Sequence, residues 1–364
     1  MKIAPFKVEE FMNKYEANAV FDLTTTCIKP LTINELCPNI KQEVFNIPLG
    51  YGDITGSENL KKEISSLYTN QDLRNITVTH GAIGANQLVF NALLEKDDEV
   101  VCIVPVYQQH YSIPESIGAR VRLYFLKEEN NWLPDIDDLK KIISSKTKLL
   151  CINTPNNPTG AVIPNWLLEE IVKIAQYNNV WILSDEVYRG LNLIGNPYSL
   201  SVADIYDKGI SVGSMSKTYS LPGLRVGWIC AREDLINEVN HHRQYNTISI
   251  SILDDYFAAY ALKNRGWISE RNFSILKNGH DIFTDWLSQE ELVSCIIPTG
   301  GTTALIKYHK KIPSLELCKK LYNIAQIAIL PGETMEMEGF LRIGLCANNL
   351  KPALSLFSEF LKRV

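Results

Sequence analysis

The chain has 364 residues, 46% of them hydrophobic and 21% charged, with a formal net charge of -5 at pH 7. That length predicts about two folded units, and the composition is that of a water-soluble globular protein. The mildly acidic balance argues against nucleic acid or an anionic membrane as the main partner, whereas a few local cations suffice to hold an anionic small molecule.

The charged start, MKIAPFKVEE, has no apolar h-region, so no targeting segment is expected. A helix is predicted over 8–15, followed by a polar extended stretch. From about residue 45 to about 265, short apolar runs alternate with longer amphipathic stretches. The runs at 99–104, 121–125, 148–153, 180–184 and 209–212 are rich in Val, Ile, Leu or Tyr and bounded by turn residues, as buried strands are. Helical patterns at 86–94, 136–143 and 166–177 separate them. The alternation predicts an α/β fold with a mostly parallel sheet covered on both faces. Beyond it come a helical stretch over 249–287, strands at 295–297 and 303–308, a helix at 314–325, strands at 327–330 and 340–345, and a terminal helix. These form a smaller α+β unit. The expected division is an N-terminal arm with part of the small domain at 1–44, a large domain at 45–265 and a small domain at 266–364. Eight scattered cysteines show neither C-x-x-C nor metal-ligand spacing with His, which suits a reduced, cytoplasmic protein and no metal.

Parallel α/β sheets bind ligands beyond the carboxyl ends of their strands, and the unusual residues cluster there. Ser214-Met-Ser-Lys217 follows the 209–212 run. A lysine there is either the start of a surface loop or an amine that a buried site uses, for instance as an imine. Ser184-Asp-Glu-Val-Tyr188 ends another run; Asp185 can hold a protonated ring nitrogen or simply cap a helix. Asn153-Thr-Pro-Asn-Asn-Pro-Thr-Gly160 is a stiff turn whose Asn157 offers hydrogen bonds. Gly81, Ala82 and Ile83 open a helix whose backbone N–H groups can face a phosphate, although neither a Walker nor a dinucleotide fingerprint is present. Tyr107, after the 99–104 run, can stack on a flat ring. Arg342, inside an apolar strand, needs a buried partner such as a substrate carboxylate.

In this order the segments resemble the fold-type I pyridoxal 5'-phosphate (PLP) enzymes, specifically the class I/II aminotransferase family, from about Tyr51 to the C-terminus. The Ser-x-Ser-Lys followed eight residues on by Arg225 is the most specific part. The resemblance implies a large domain with a seven-stranded, mostly parallel sheet and a smaller α+β domain. It implies that Lys217 forms the internal aldimine and shuttles the proton, that Asp185 pairs with the pyridine nitrogen, and that Tyr188 and Asn157 bond the ring's phenolic oxygen. Tyr107 would stack on the ring; Gly81, Ala82, Ile83, Ser214, Ser216 and Arg225 would surround the phosphate. Arg342, with Asn157, would bind the substrate carboxylate. Tyr51 resembles the family tyrosine that reaches the phosphate of the partner subunit, which implies a homodimer with shared sites. The implied activity is transfer of an α-amino group from an L-amino acid to a 2-oxo acid through pyridoxamine phosphate.

One segment departs from the family pattern. Residues 22–36, DLTTTCIKPLTINEL, lack the glycine-rich loop of many members and look more like the arginine-acting branch that includes capreomycidine synthase and the arginine oxidases. Acidic residues such as Glu9, Glu10 or Asp22 could then meet a guanidinium, although for any one of them a solvated acidic helix face is the stronger reading. The alternatives are therefore an arginine cyclase or oxidase, or a C–S β-lyase. A non-catalytic effector module lacks the basic helix-turn-helix extension it would need.

Overall fold

The computed structural model describes residues 2–38, 40 and 42–364. Its centre is a seven-stranded sheet made of β1 (Ile76–His80), β2 (Glu99–Val104), β3 (Arg120–Phe125), β4 (Thr147–Asn153), β5 (Trp181–Asp185), β6 (Gly209–Ser214) and β7 (Val226–Cys230). The spatial order is β1-β7-β6-β5-β4-β2-β3. Strand β7 runs antiparallel to both neighbours, and every other pairing is parallel. Successive residues of a strand face opposite sides. Thus Leu150 and Ile152 of β4 enter one core, while Leu149 and Cys151 enter the other. Burial on both faces is why these strands read as unbroken apolar runs.

Two strands of this sheet escape the apolar-run reading. β1 is Ile-Thr-Val-Thr-His, and its buried threonines are satisfied, Thr77 by Asn240 and Thr79 by the Gly81 carbonyl. β7 is short, contains Gly227 and follows a turn-rich motif. Gly227 must be glycine, because a Cβ there would strike the Gly81 carbonyl carbon and come within 2.6 Å of the Ala82 nitrogen. The helix expected over 86–94 begins five residues earlier, spanning Gly81–Leu93. The helical stretch over 249–287 is two helices, Ile252–Lys263 and Arg265–Leu287. Asn264 parts them, its side-chain amide donating to the Tyr260 carbonyl and competing with the helix ladder.

The second sheet has four strands, β8 (Val293–Cys295), β9 (Thr303–Tyr308), β10 (Leu330–Pro331) and β11 (Phe340–Gly344), in the order β10-β11-β9-β8. The single strand expected over 327–330 is divided. Ile327–Ala328 pairs in parallel with Phe21–Asp22 of the N-terminal arm, and Leu330–Pro331 joins β11. The arm continues along β11, where the Gly344 N–H donates to the Leu23 carbonyl. The helix Lys7–Tyr15 buries Val8 and Phe11. Among the described residues, no helix is long and apolar enough to cross a membrane.

Candidate active site

The parallel strands deliver their carboxyl ends to one edge of the large sheet, and β7, running the other way, delivers its amino end there. Asp185 closes β5, Ser214 closes β6, Gly81 follows β1, and Arg225 immediately precedes β7. The register sets them side by side: Asn153 faces Asp185, Asp185 faces Val212, and Ser214 faces Gly227. A cavity of about 280 Å³ opens at this edge. Of the thirteen residues proposed from sequence, eleven line it: Ala82, Ile83, Tyr107, Asn157, Asp185, Tyr188, Ser214, Ser216, Lys217, Arg225 and Arg342. A larger cleft of about 960 Å³, bordered by Trp132, Arg189 and Ile297, contains none of them.

The other two stand apart from the lining. Gly81 lies behind it with φ +66°, and a Cβ there would come within 2.9 Å of the Arg225 guanidinium. Tyr51 is 87% exposed and is not part of this chain's own cavity lining.

At the floor, the buried Asp185 carboxylate accepts from the Asn86 amide at 3.3 Å and lies 3.2 Å from His110 Nε2; its other oxygen accepts from the Val187 N–H at 3.2 Å. The Asn153 amide donates to the Asp185 carbonyl, and the Asn153 side-chain oxygen accepts from the Asn157 N–H at 2.7 Å. The loop carrying Asn157 is thereby bolted to the strand carrying Asp185. Across the cavity, Lys217 Nζ donates to Thr26 Oγ1 at 2.5 Å and lies 3.3 Å from Cys27 Sγ. Burial works against the Lys217 ammonium, but Tyr188 and Cys27 more than offset it and hold its pKa above the usual lysine value.

Arg342 projects from β11 and is 2% exposed. Its Nη2 donates to the Thr24 carbonyl at 2.6 Å and its Nη1 to Asn157 Oδ1 at 3.3 Å, while Nε is buried without a partner. Burial lowers its pKa, and Tyr188, Tyr107, Glu9 and Asp22 oppose the shift. The Tyr107 hydroxyl donates to Glu9 at 2.6 Å, which ties the N-terminal helix to the cavity wall. Burial first, then that carboxylate, pushes the Tyr107 pKa up.

The profile of aminotransferase class I and II proteins matches residues 30–353. The chain belongs to that family. A PLP-dependent aminotransferase from Streptococcus suis has the same fold at a TM-score of 0.95 and 39% identity, covering 100% of this chain and 99% of that one. Capreomycidine synthase of Streptomyces vinaceus is 27% identical over 360 residues, 97% of this chain and 92% of that protein. The aspartate aminotransferase of Thermotoga maritima is 29% identical over 311 residues, 84% of this chain and 80% of that protein. As a class I/II aminotransferase-family protein of fold type I, the chain is a PLP-dependent enzyme.

The residues present fit that cofactor. The Tyr188 hydroxyl is buried with no partner, although such groups are almost always satisfied, and so it awaits an acceptor. Small residues let the helix Gly81–Leu93 bring its first N–H groups and Arg225 to one end of the cavity, a charge and dipole arrangement suited to a phosphate. Asp185 at the floor is placed for a cationic ring nitrogen.

Several wall residues carried no assigned role in the sequence reading. Asn86 and His110 lie inside segments singled out there, but helix and strand periodicity cannot reveal that both converge on Asp185. Thr26, Cys27, Gln109 and Glu16 also line the cavity. Of the acidic residues considered for a guanidinium, Glu9 lines it. Glu10 is exposed elsewhere, and Asp22 turns back to accept from the Thr24 N–H and hydroxyl.

Proposed function

We propose that this protein is an aminotransferase, moving the α-amino group of an L-amino acid to a 2-oxo acid. The observation that carries this reading is the convergence, in one cavity, of the Lys217 amine, the Asp185 carboxylate and the Arg342 guanidinium. PLP supplies an electron sink when bound. Asp185 would keep the ring nitrogen protonated, steadied by Asn86 and His110. Tyr188 and Asn157 would hold the phenolic oxygen, Tyr107 would cover the ring, and Gly81, Ala82, Ile83, Ser214, Ser216 and Arg225 would hold the phosphate. Arg342 clamps the substrate carboxylate and so orients the Cα–H bond, and Lys217 takes that proton and returns it.

The working enzyme is proposed as a cytoplasmic homodimer. Tyr51, Ile54, Tyr245 and Ile248 are exposed, and Arg243, two residues before Tyr245, donates to the Ile54 carbonyl. Such an apolar surface suits a second copy, into whose site Tyr51 would reach. In this reading residues 45–265 carry the cofactor, and residues 1–44 and 266–364 close over the substrate.

A second reading, an arginine-acting cyclase or oxidase, is favoured by one observation. The lining holds three cations, Lys217, Arg225 and Arg342, against three anions, Asp185, Glu9 and Glu16. Ring nitrogen, phosphate and carboxylate would account for Asp185, Arg225 and Arg342, and the cofactor would engage Lys217. Glu9 and Glu16 remain to face a cationic side chain. The deciding experiment adds single L-amino acids, arginine included, to the purified holoprotein and follows its visible absorbance with and without oxygen. An aminotransferase yields one equivalent of 2-oxo acid, and its absorbance returns on adding another 2-oxo acid. Turnover of arginine with no 2-oxo acid acceptor would assign the second reading.

A further inference from the structure

We infer that Thr26 and Cys27 are positioning residues that dock the Lys217 amine whenever it is not bonded to the cofactor. The inference rests on Lys217 being the Schiff-base lysine. Thr26 Oγ1 lies 2.5 Å and Cys27 Sγ 3.3 Å from Lys217 Nζ, and both residues line the cavity that holds Asp185 and Arg342.

The chemistry of the two groups suits the task. A lysine that carries a proton from one carbon to another must alternate between ammonium and amine. A hydroxyl and a thiol each both donate and accept hydrogen bonds. They can accept from the ammonium and donate to the lone pair of the amine, so the dock holds the nitrogen in both states. A carboxylate in the same place would favour the ammonium alone and retard release of its proton.

The dock is also mounted rigidly. The Thr26 carbonyl accepts from Thr302 Oγ1 at 2.7 Å, and the Thr24 carbonyl, two residues back, accepts from Arg342 at 2.6 Å. The Gly344 N–H holds Leu23 at 2.8 Å, and a Cβ at Gly344 would collide with the Thr25 carbonyl. One stretch of backbone therefore carries both the rest position of the amine and a brace of the carboxylate-binding arginine. An error of about 1 Å in this stretch would misalign the proton transfer without touching the cofactor.

The test compares Thr26→Val and Cys27→Ala with Thr26→Ser as the conservative variant. Two readouts are used: the pH dependence of the rate at which apoprotein captures added PLP, followed by absorbance, and the α-deuterium isotope effect on turnover of the holoenzyme. Removing the hydroxyl leaves the ammonium short of an acceptor, so in Thr26→Val the capture midpoint should fall by about one pH unit. Its isotope effect should rise as proton transfer slows roughly tenfold, with KM moving less than twofold. Cys27→Ala should shift both in the same direction by less, and Thr26→Ser should restore them. Unchanged midpoint and isotope effect in a folded Thr26→Val protein, or a change in KM alone, would overturn the dock. Borohydride reduction of the parent holoenzyme is read separately. An adduct on any peptide other than that of Lys217 removes the Schiff-base assignment itself, and the dock with it.

Discussion

Replacing Arg342 by lysine tests the carboxylate clamp while keeping the charge. The guanidinium braces itself on the Thr24 carbonyl at 2.6 Å and Asn157 Oδ1 at 3.3 Å and keeps Nε free of protein partners. A lysine ammonium is a point charge on a flexible stem. It can satisfy Thr24 or a substrate carboxylate but cannot present a planar fork to both. The loss is about one charge-assisted hydrogen bond, about 1.5–3 kcal/mol. That corresponds to a fall of roughly tenfold to a hundredfold in kcat/KM. Because the carboxylate is held before and during the reaction, most of the loss should appear in KM. The assay measures steady-state kinetics for the best amino acid and for the corresponding amine without its α-carboxylate. Arg342→Lys should erode the preference for the amino acid and leave the amine unaffected. An equal loss for both compounds would refute the clamp and reduce Arg342 to a structural brace between Thr24 and Asn157.

The other predictions address cofactor, substrate charge and stability. Gly227→Ala drives a methyl group into the Gly81 carbonyl carbon and the Ala82 nitrogen. An overpacking cost of about 1–3 kcal/mol, placed on the proposed phosphate cradle, should weaken PLP binding roughly fivefold to a hundredfold in an absorbance titration, with substrate KM little changed. Burial, then Asp22 and Glu9, raises the pKa of Glu16. If the substrate side chain is cationic, its KM should fall as pH rises through that raised value, because only the ionised carboxylate attracts it; Glu16→Gln should flatten the profile, and neutral substrates should show none. Burial also raises the pKa of Glu186, against the opposing effects of Arg189, Ser211, Val202 and Ser201. The native state then keeps this proton to higher pH than the unfolded chain does, so the Glu186 contribution to stability falls as pH rises through the window between the two values. Urea denaturation at pH 5 and pH 8 should show Glu186→Gln gaining on the parent protein at the higher pH.

Much of the site was legible because its chemistry demands residue types that strand ends rarely carry. A lysine after a buried strand, an acid closing another and an arginine inside a third each stand out against an apolar background, and their order along the chain supplies the family resemblance. Helix and strand types followed from periodicity wherever burial was uniform, as in β2, β4 and β5. β1 and β7 were not legible for opposite reasons: the threonines of β1 look solvent-facing but are buried and satisfied, and Gly227 reads as a turn residue until the backbone packed against it is seen.

The sequence alone determined the α/β class and, through the family resemblance that rare residue types at strand ends carry, the cofactor and most of the residues that line the cavity. Only the tertiary structure decided that His110 and Asn86 both brace Asp185, that Thr26 and Cys27 meet Lys217, and that Glu9 and Glu16, rather than Glu10 or Asp22, face the cavity. These are contacts between residues 75–191 positions apart, or choices of which side of a helix or turn faces inward. Packing makes such choices, and no local pattern of residues records them.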